Sequence, residues 1–325
     1  MRQTLLTGTG SYLPEKVLTN ADLATFMDTD DAWIRQRTGI EKRHIVGEDE
    51  MTSDLAIKAG QQALDAAGLD AADLDAIIIA TTTPDDTFPA TAAKVQAGLD
   101  ASRAFAFDVQ AVCAGFVFAL DTADAFIKSG KADKVLVIGA ESFTRILDWE
   151  DRTTAVLFGD GAGAVVLESA DNHPGWGVLS SALFTDGRYR DILYVDGGVS
   201  STGSVGHVRM KGNEVFRHAV EKLSAGLLSA LGQSDLEADD IDWLVPHQAN
   251  IRIIDSMQKK FGLAAEKVIR TVNDHANTSA ASIPLALDAA VRDGRINAGH
   301  VVAFEAIGGG LSWGAALVRF GRPSY

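Results

Sequence analysis

The chain has one cysteine, Cys113, in the segment Val109-Gln-Ala-Val-Cys-Ala-Gly-Phe116. A β-like run, Ala104 to Val109, ends just before it and an apolar helical pattern begins at it. A thiol at a helix start meets the positive end of the macrodipole and the unpaired N–H groups of the first turn. Both favour the thiolate, so Cys113 is expected to act as a nucleophile that can carry an acyl group. The alternative is a small buried apolar residue with no chemistry. His247 follows the apolar run Trp243 to Val245 and precedes a helical segment that Asn250 can cap. His275 competes with it from the loop Asn273-Asp-His-Ala-Asn277. A Cys-His-Asn set serves two chemistries. In a thiol hydrolase the imidazole takes the thiol proton and the amide orients the ring. In carbon–carbon bond formation a neutral imidazole and an amide both donate to a thioester oxygen and stabilise the enolate left by departing CO2.

Asn277 enters this set through an internal repeat. Leu69-Asp-Ala-Ala-Asp-Leu-Asp-Ala-Ile-Ile78 lies without gaps on Leu236-Glu-Ala-Asp-Asp-Ile-Asp-Trp-Leu-Val245. Further on, Cys113 stands to Gly130 as Asn277 stands to Gly294, with Asp124 and Asp288 in step. Short β-rich runs at Ile77–Ala80, Val135–Gly139, Trp243–Val245 and Val301–Phe304 alternate with amphipathic stretches, the pattern of an α/β layered fold. Such a long period signals a duplicated domain. The expected halves are residues 1–170, with the cysteine, and 171–325, with the histidine and asparagine. A pseudo-twofold axis between them would bring Cys113 and Asn277 to equivalent helix starts, and the loop of Thr81 to Thr83 to the counterpart of His247 to Asn250.

Composition narrows the classes. The chain has 325 residues, 46% of them hydrophobic, with a formal net charge of −15. That charge argues against nucleic-acid binding, which rests on Lys and Arg neutralising phosphates. The longest apolar run, Ala111 to Leu120, is about half of a bilayer span, and the N-terminus lacks the pattern of a signal peptide, so no membrane association is expected. One cysteine excludes an internal disulfide framework and suits a reducing cytoplasm. Cys/His spacing offers no zinc site, so no metal is expected. Gly159-Asp-Gly-Ala-Gly-Ala164 is followed by a strand-like Ala-Val-Val-Leu-Glu rather than a helix, which removes the dinucleotide reading. Gly308-Gly-Gly-Leu-Ser-Trp-Gly314 lets backbone approach a ligand closely, and one of its N–H groups can join that of Cys113 in an oxyanion hole.

Seven segments, in order along nearly the whole chain, resemble β-ketoacyl-acyl carrier protein synthase III: Gly8-Thr-Gly-Ser-Tyr-Leu-Pro14, Asp31-Ala-Trp-Ile-Arg-Gln-Arg-Thr-Gly-Ile40, Ala111-Val-Cys-Ala-Gly-Phe116, Phe158-Gly-Asp-Gly-Ala-Gly163, Pro246-His-Gln-Ala-Asn250, Asn277-Thr-Ser-Ala-Ala281 and Gly308-Gly-Gly-Leu-Ser-Trp-Gly314. The resemblance implies a thiolase fold, with two pseudo-twofold-related halves in a five-layered α-β-α-β-α sandwich, usually as a homodimer. It implies a ping-pong condensation that needs no cofactor. Cys113 takes an acyl group from acyl-CoA, and malonyl-acyl carrier protein loses CO2 to supply the attacking carbanion. His247 and Asn277 polarise the malonyl thioester, and the N–H groups of Cys113 and Gly309 hold the acyl oxyanion. On the same basis Trp33 stacks on adenine, Arg37 and Arg152 meet the nucleotide, and Asn213 and Asn250 line the pantetheine tunnel.

Acyl carrier proteins are acidic, so a chain this negative must offer them a local cationic face. Arg252, Lys259 and Lys260 share one side of the helix after His247, and the resemblance adds Arg217. It also exposes a departure. Ile307 stands before the glycine triplet where many bacterial members carry phenylalanine, which changes the acyl pocket. Phe88, on the loop that in the family closes the partner subunit's pocket, argues for a short primer such as acetyl-CoA. Three other readings remain: a related synthase priming a secondary metabolite, a thiol hydrolase, and a binding module with an inert cysteine.

Overall fold

The computed structural model describes residues 2–323. Two sheets carry the chain. The first has the order Arg2–Tyr12, Gly161–Asp171, Lys134–Glu141, Ala76–Ala80, Phe105–Val109. Its first two pairings are antiparallel and its last two parallel. The second has the order Gly177–Thr185, Ser312–Arg319, Val301–Gly308, Trp243–Pro246. It repeats the same directions, and a parallel bridge from Leu244 to Val268 stands where a fifth strand would lie. The two topologies coincide strand for strand.

Burial on both faces explains the unbroken apolar runs. Ala76–Ala80 is buried at every position, as is Val301–Gly308, because parallel strands here lie between helical layers. Thr52–Ala67 and Thr91–Gly98 cover the outer face of the first sheet through Leu55, Ala59, Ala63 and Val95. Gly115–Lys128 and Ser282–Arg292 fill the space between the sheets, where Phe116, Leu120, Ile283 and Leu287 meet Ile78, Val137, Val245 and Phe304. Gly212–Leu231 and Ile251–Lys260 cover the outer face of the second sheet. The layers therefore run α-β-α-β-α, the arrangement expected of a thiolase fold.

The repeat extends to local detail. Asp75 accepts from the Asp133 and Lys134 amides, and Asp242 accepts from the Val301 amide, so each aspartate stitches a strand start to its neighbour. Asp124 holds Lys128 and Asp288 holds Arg292, one turn on, in the two central helices. Val112 and Ala276 both have positive φ, 50° and 58°, immediately before Cys113 and Asn277. A β-branched residue in that region is strained, and such strain persists where surrounding structure enforces it. Both central helices begin with a 3₁₀ turn, Val112–Ala114 in one case and Ser279–Ala281 in the other.

Candidate active site

Cys113 lies within its 3₁₀ turn, and the α-helix proper begins at Gly115. It is 4% exposed. The end of the Val301–Gly308 strand presses on it so closely that a Cβ at Gly308 would stand 2.6 Å from the Cys113 amide nitrogen. Gly309 follows against Val112, whose side chain would lie 3.5 Å from a Cβ at that position. The backbone of the glycine segment thus reaches the cysteine amide only because no side chain intervenes. A cavity of about 950 Å³ opens beside this junction, lined in part by Val112, Gly309, Thr83, Phe143 and Leu193.

The thiol does not rest as a thiolate. Burial pushes Cys113 up to about 12, the Glu141 charge adds to this, and the Ser279 hydroxyl pulls the other way. The expectation that the helix start alone would favour the thiolate is corrected on this point: removing the sulfur from water outweighs a partial positive charge.

His247 sits at the end of the Trp243–Pro246 strand, where its amide donates to the Glu305 carbonyl at 2.8 Å. Its imidazole is buried, and burial pushes it down to about 3, so the ring is neutral. Nδ1 lies 2.6 Å from the Ser282 hydroxyl, which itself accepts from the Gln248 amide at 3.3 Å. When Ser282 gives its proton to Nδ1, the ring proton stands on Nε2. Asn277 is held by its backbone, which bridges the Leu157 carbonyl and the Gly159 amide. Its Oδ1 accepts from the Ser279 amide at 2.9 Å, which leaves the Nδ2 group as a donor.

Three anchors therefore meet on one short segment. Asn277 begins it, Ser279 faces the Cys113 thiol, and Ser282 holds His247. His275 stands apart, beside His44, Asp274 and Lys42, and burial pushes it down to about 4. The sequence did not signal Ser279, Ser282 or Glu141; only the Thr81–Thr83 run, which binds Glu141, stood out.

Glu305 lies near the end of the Val301–Gly308 strand, opposite Pro246, and neither of its carboxyl oxygens has a partner. Burial pushes it up to about 8. From the ordinary value of 4.5 up to about 8 the folded state therefore holds a proton that the unfolded state has lost. The stability due to the neutral acid is complete below that window and is lost as pH rises through it, on the order of 4 kcal/mol in all. Glu305→Gln should flatten the fall in melting temperature between pH 5 and 8; superimposable curves for the two proteins would rule this out.

The remaining expected site residues form two groups. Trp33, half-buried on the Asp31–Thr38 helix, has the Arg37 guanidinium 4.5 Å from its ring and that of Arg152 at 5.2 Å. Asn250 caps the Ile251–Lys260 helix, spending its carbonyl oxygen on the Arg252 and Ile253 amides. Asn213 is exposed at the start of Gly212–Leu231. Arg252 lies over Phe216 at 5.1 Å, which brings its helix against the one bearing Arg217. Arg217, Arg252, Lys259 and Lys260 are exposed, and none is in an ion pair among the described residues. Ile307 is buried at 6% exposure directly before Gly308, whereas Phe88 is 84% exposed. Among the described residues there is no cluster of three or more potential metal ligands, and no helix is long and apolar enough to cross a membrane.

Comparison with known proteins gives one answer. Residues 107–187 match the family described as 3-oxoacyl-[acyl-carrier-protein (ACP)] synthase III, and residues 231–320 match its C-terminal family. The chain is 58% identical over 320 residues to a beta-ketoacyl-[acyl-carrier-protein] synthase III of Hyphomonas neptunium, covering 98% of this chain and 99% of that one. It superposes on the 3-oxoacyl-[acyl-carrier-protein] synthase III of Aquifex aeolicus VF5 with a TM-score of 0.93 and 44% identity, covering 98% of this chain and 100% of that one. The priming beta-ketosynthase of the R1128 polyketide pathway gives a TM-score of 0.94 at 34% identity, covering 99% and 98%.

Proposed function

This chain belongs to the 3-oxoacyl-[acyl-carrier-protein] synthase III family, and from that premise we propose how its own residues divide the work. It is an acyltransferase-type condensing enzyme of fatty acid initiation, with acyl-CoA and acyl carrier protein as its substrates. In the first half-reaction the Cys113 sulfur attacks the acyl-CoA thioester and CoA leaves. In the second, malonyl-acyl carrier protein loses CO2, and its carbanion attacks the acyl-Cys113 carbonyl to give the 3-oxoacyl product. His247 Nε2–H and Asn277 Nδ2–H donate to the malonyl thioester oxygen as negative charge gathers there. The amides of Cys113 and Gly309 hold the oxyanion of the acyl carbon.

One observation carries this assignment over thiol hydrolysis. Ser282 meets His247 at Nδ1 and is read as the donor there, which puts the ring proton on Nε2 in a site that resists the imidazolium. A hydrolase needs Nε2 free to accept the thiol proton, whereas decarboxylation needs it as a donor. A protein labelled with radioactive acetyl-CoA should keep its label in buffer and release it on addition of malonyl-acyl carrier protein; steady release into water would favour hydrolysis.

Trp33, flanked by Arg37 and Arg152, is read as the adenine and phosphate platform, with Asn213 and Asn250 along the pantetheine path. Phe88 and Ile307 shape the acyl pocket for a short primer, acetyl-CoA first among them. Identity of 58% to the synthase III of Hyphomonas neptunium, against 34% to the polyketide priming enzyme, supports the reading as a fatty-acid initiator over that as a secondary-metabolite primer. No organic cofactor is assigned a role. The halves are read as residues 1–170 and 171–325; Met1, Ser324 and Tyr325 lie outside the described residues. A homodimer is supported by the edge strand Phe105–Val109, whose Phe105 is 38% exposed beside Phe107 and Phe126, together with the bare Phe88. A cytoplasmic location follows from the substrates.

Carrier docking is assigned to Arg217, Arg252, Lys259 and Lys260, whose lack of ion-pair partners leaves their charge to an acidic visitor. Arg252→Glu should raise the KM for malonyl-acyl carrier protein about tenfold at low ionic strength, less at high salt, and leave acylation by acetyl-CoA unchanged. A KM indifferent to the charge reversal would remove Arg252 from the docking face.

A further inference from the structure

His247 is poorly placed to take the Cys113 proton. The ring already carries one proton, read above as on Nε2, and a second would create an imidazolium where burial opposes charge. Burial also opposes the thiolate, so another group close to Cys113 must receive the proton as the sulfur attacks.

Behind Cys113 lies a carboxylate without a cation. Glu141 is fully buried at the end of the Lys134–Glu141 strand and is held by hydroxyls and one amide: Thr82 Oγ1 at 2.6 Å, Thr83 Oγ1 at 2.6 Å, Thr81 Oγ1 at 3.4 Å and the Thr82 amide at 3.1 Å. The Ser279–Ala281 turn is wedged between this strand and the Cys113 helix. A Cβ at Gly139 would lie 2.2 Å from the Ala280 carbonyl oxygen, and one at Gly115 would lie 3.4 Å from Ala280 Cβ. Ser279 thus sits between the two groups, at a φ of 49°. Its buried hydroxyl completes no ordinary hydrogen bond, yet it lowers both the thiol and the carboxyl. No other group claims its proton.

We propose that the Cys113 proton passes through the Ser279 hydroxyl to Glu141, so that these two residues form the relay that generates the nucleophile. This rests on the acyl-Cys113 reading above. The Sγ–H bond breaks as Ser279 Oγ takes that proton and gives its own to a Glu141 oxygen. The pair carries one negative charge before and after, so no new charge is buried. The thiolate then forms its bond to the acyl carbon, the carbon–sulfur bond to CoA breaks, and the proton returns through Ser279 to the departing CoA sulfur. Burial raises the Glu141 carboxyl above the ordinary carboxylate range, which suits a group that must accept and return a proton. The other titratable groups on the elements around it are turned to other partners. Asp85 binds Ser53 and Lys94, Asp160 binds Thr144 and the Val46 amide, and Arg145 binds the carbonyls of Gly47, Glu48 and Glu50. Cys113 is the titratable group on which the Glu141 charge bears.

The test is the pH dependence of two rates, alkylation of Cys113 by iodoacetamide and single-turnover acylation by acetyl-CoA, in the full-length wild type, Ser279→Ala and Glu141→Gln. In the wild type both rates should be flat around neutral pH. In the variants both should fall about a hundredfold at pH 7 and then climb tenfold per pH unit, as an unassisted thiol would. The Glu141→Gln result is diagnostic in sign. A carboxylate that merely repels the thiolate would, once neutralised, leave a faster thiol. Faster alkylation in Glu141→Gln, or pH profiles that superimpose on the wild type in Ser279→Ala, would overturn the relay. Should Glu141→Gln not fold, Ser279→Ala, which removes a single oxygen, decides alone. A wild type that is alkylated but never acylated would instead refute the functional reading and leave the alkylation profiles to judge the relay.

Discussion

Cys113→Ser should yield a folded protein that forms no acyl-enzyme with acetyl-CoA, its acylation rate falling by at least about a thousandfold. Exchange of sulfur for oxygen is nearly isosteric, and the Gly308 backbone closes on the Cys113 amide, which the substitution leaves in place. Stability should therefore change little. The chemistry should fail for an electrostatic reason. The buried thiol already stands at about 12, and an alcohol in the same place starts several units higher, beyond what the Ser279 and Glu141 pair can offset. Intact-protein mass spectrometry after incubation with acetyl-CoA would read the result directly, as a gain of one acetyl group in the wild type and none in the variant. An acetylated Cys113→Ser protein, with the group mapped to another residue, would displace Cys113 as the nucleophile.

Loss of the two polarising donors should have the second largest effect, and on the other half-reaction. His247→Ala removes the Nε2–H group that Ser282 orients. Asn277→Asp keeps the oxygen that accepts from the Ser279 amide but replaces the donor with an anion facing the developing enolate. Each donor of this kind contributes about 10²- to 10³-fold, so malonyl-acyl carrier protein decarboxylation should fall by that factor in His247→Ala and further in Asn277→Asp. Acylation by acetyl-CoA should stay within about tenfold, because neither side chain receives the thiol proton. Separate rapid-quench measurements of acyl-enzyme formation and CO2 release would show the split. Equal losses in both half-reactions would contradict the division of labour and return the thiol proton to His247.

Much of this architecture was legible in the residues. Apolar runs marked the parallel strands because both faces of each sheet are covered, and the paired aspartates Asp75 and Asp242 and the matched Cys113 and Asn277 reflect a topology that is truly repeated. Strand ends were less legible. Val301–Gly308 runs to the glycine triplet rather than stopping near Phe304, since its pairing with Ser312–Arg319 continues to Gly308 and Ser312. The protonation states were hidden for a deeper reason. A helix start can be read locally, but the desolvation that lifts Cys113 and lowers His247 depends on what the second half lays over them. Ser282 and Glu141 lie far along the chain from the groups they serve, and serine at a helix start has no pattern of its own. Only the finished strand order brings Ser279 between a thiol and a carboxylate.

The central claim, that Cys113, His247 and Asn277 form one condensing site, is tested most directly by a chase of isolated acetyl-enzyme. Protein carrying one radioactive acetyl group on Cys113 is separated from CoA and mixed with malonyl-acyl carrier protein. The label should move quantitatively to the carrier as its 3-oxoacyl thioester, with one CO2 released for each acetyl group transferred. Label appearing as free acetate while the malonyl thioester stays whole would contradict it.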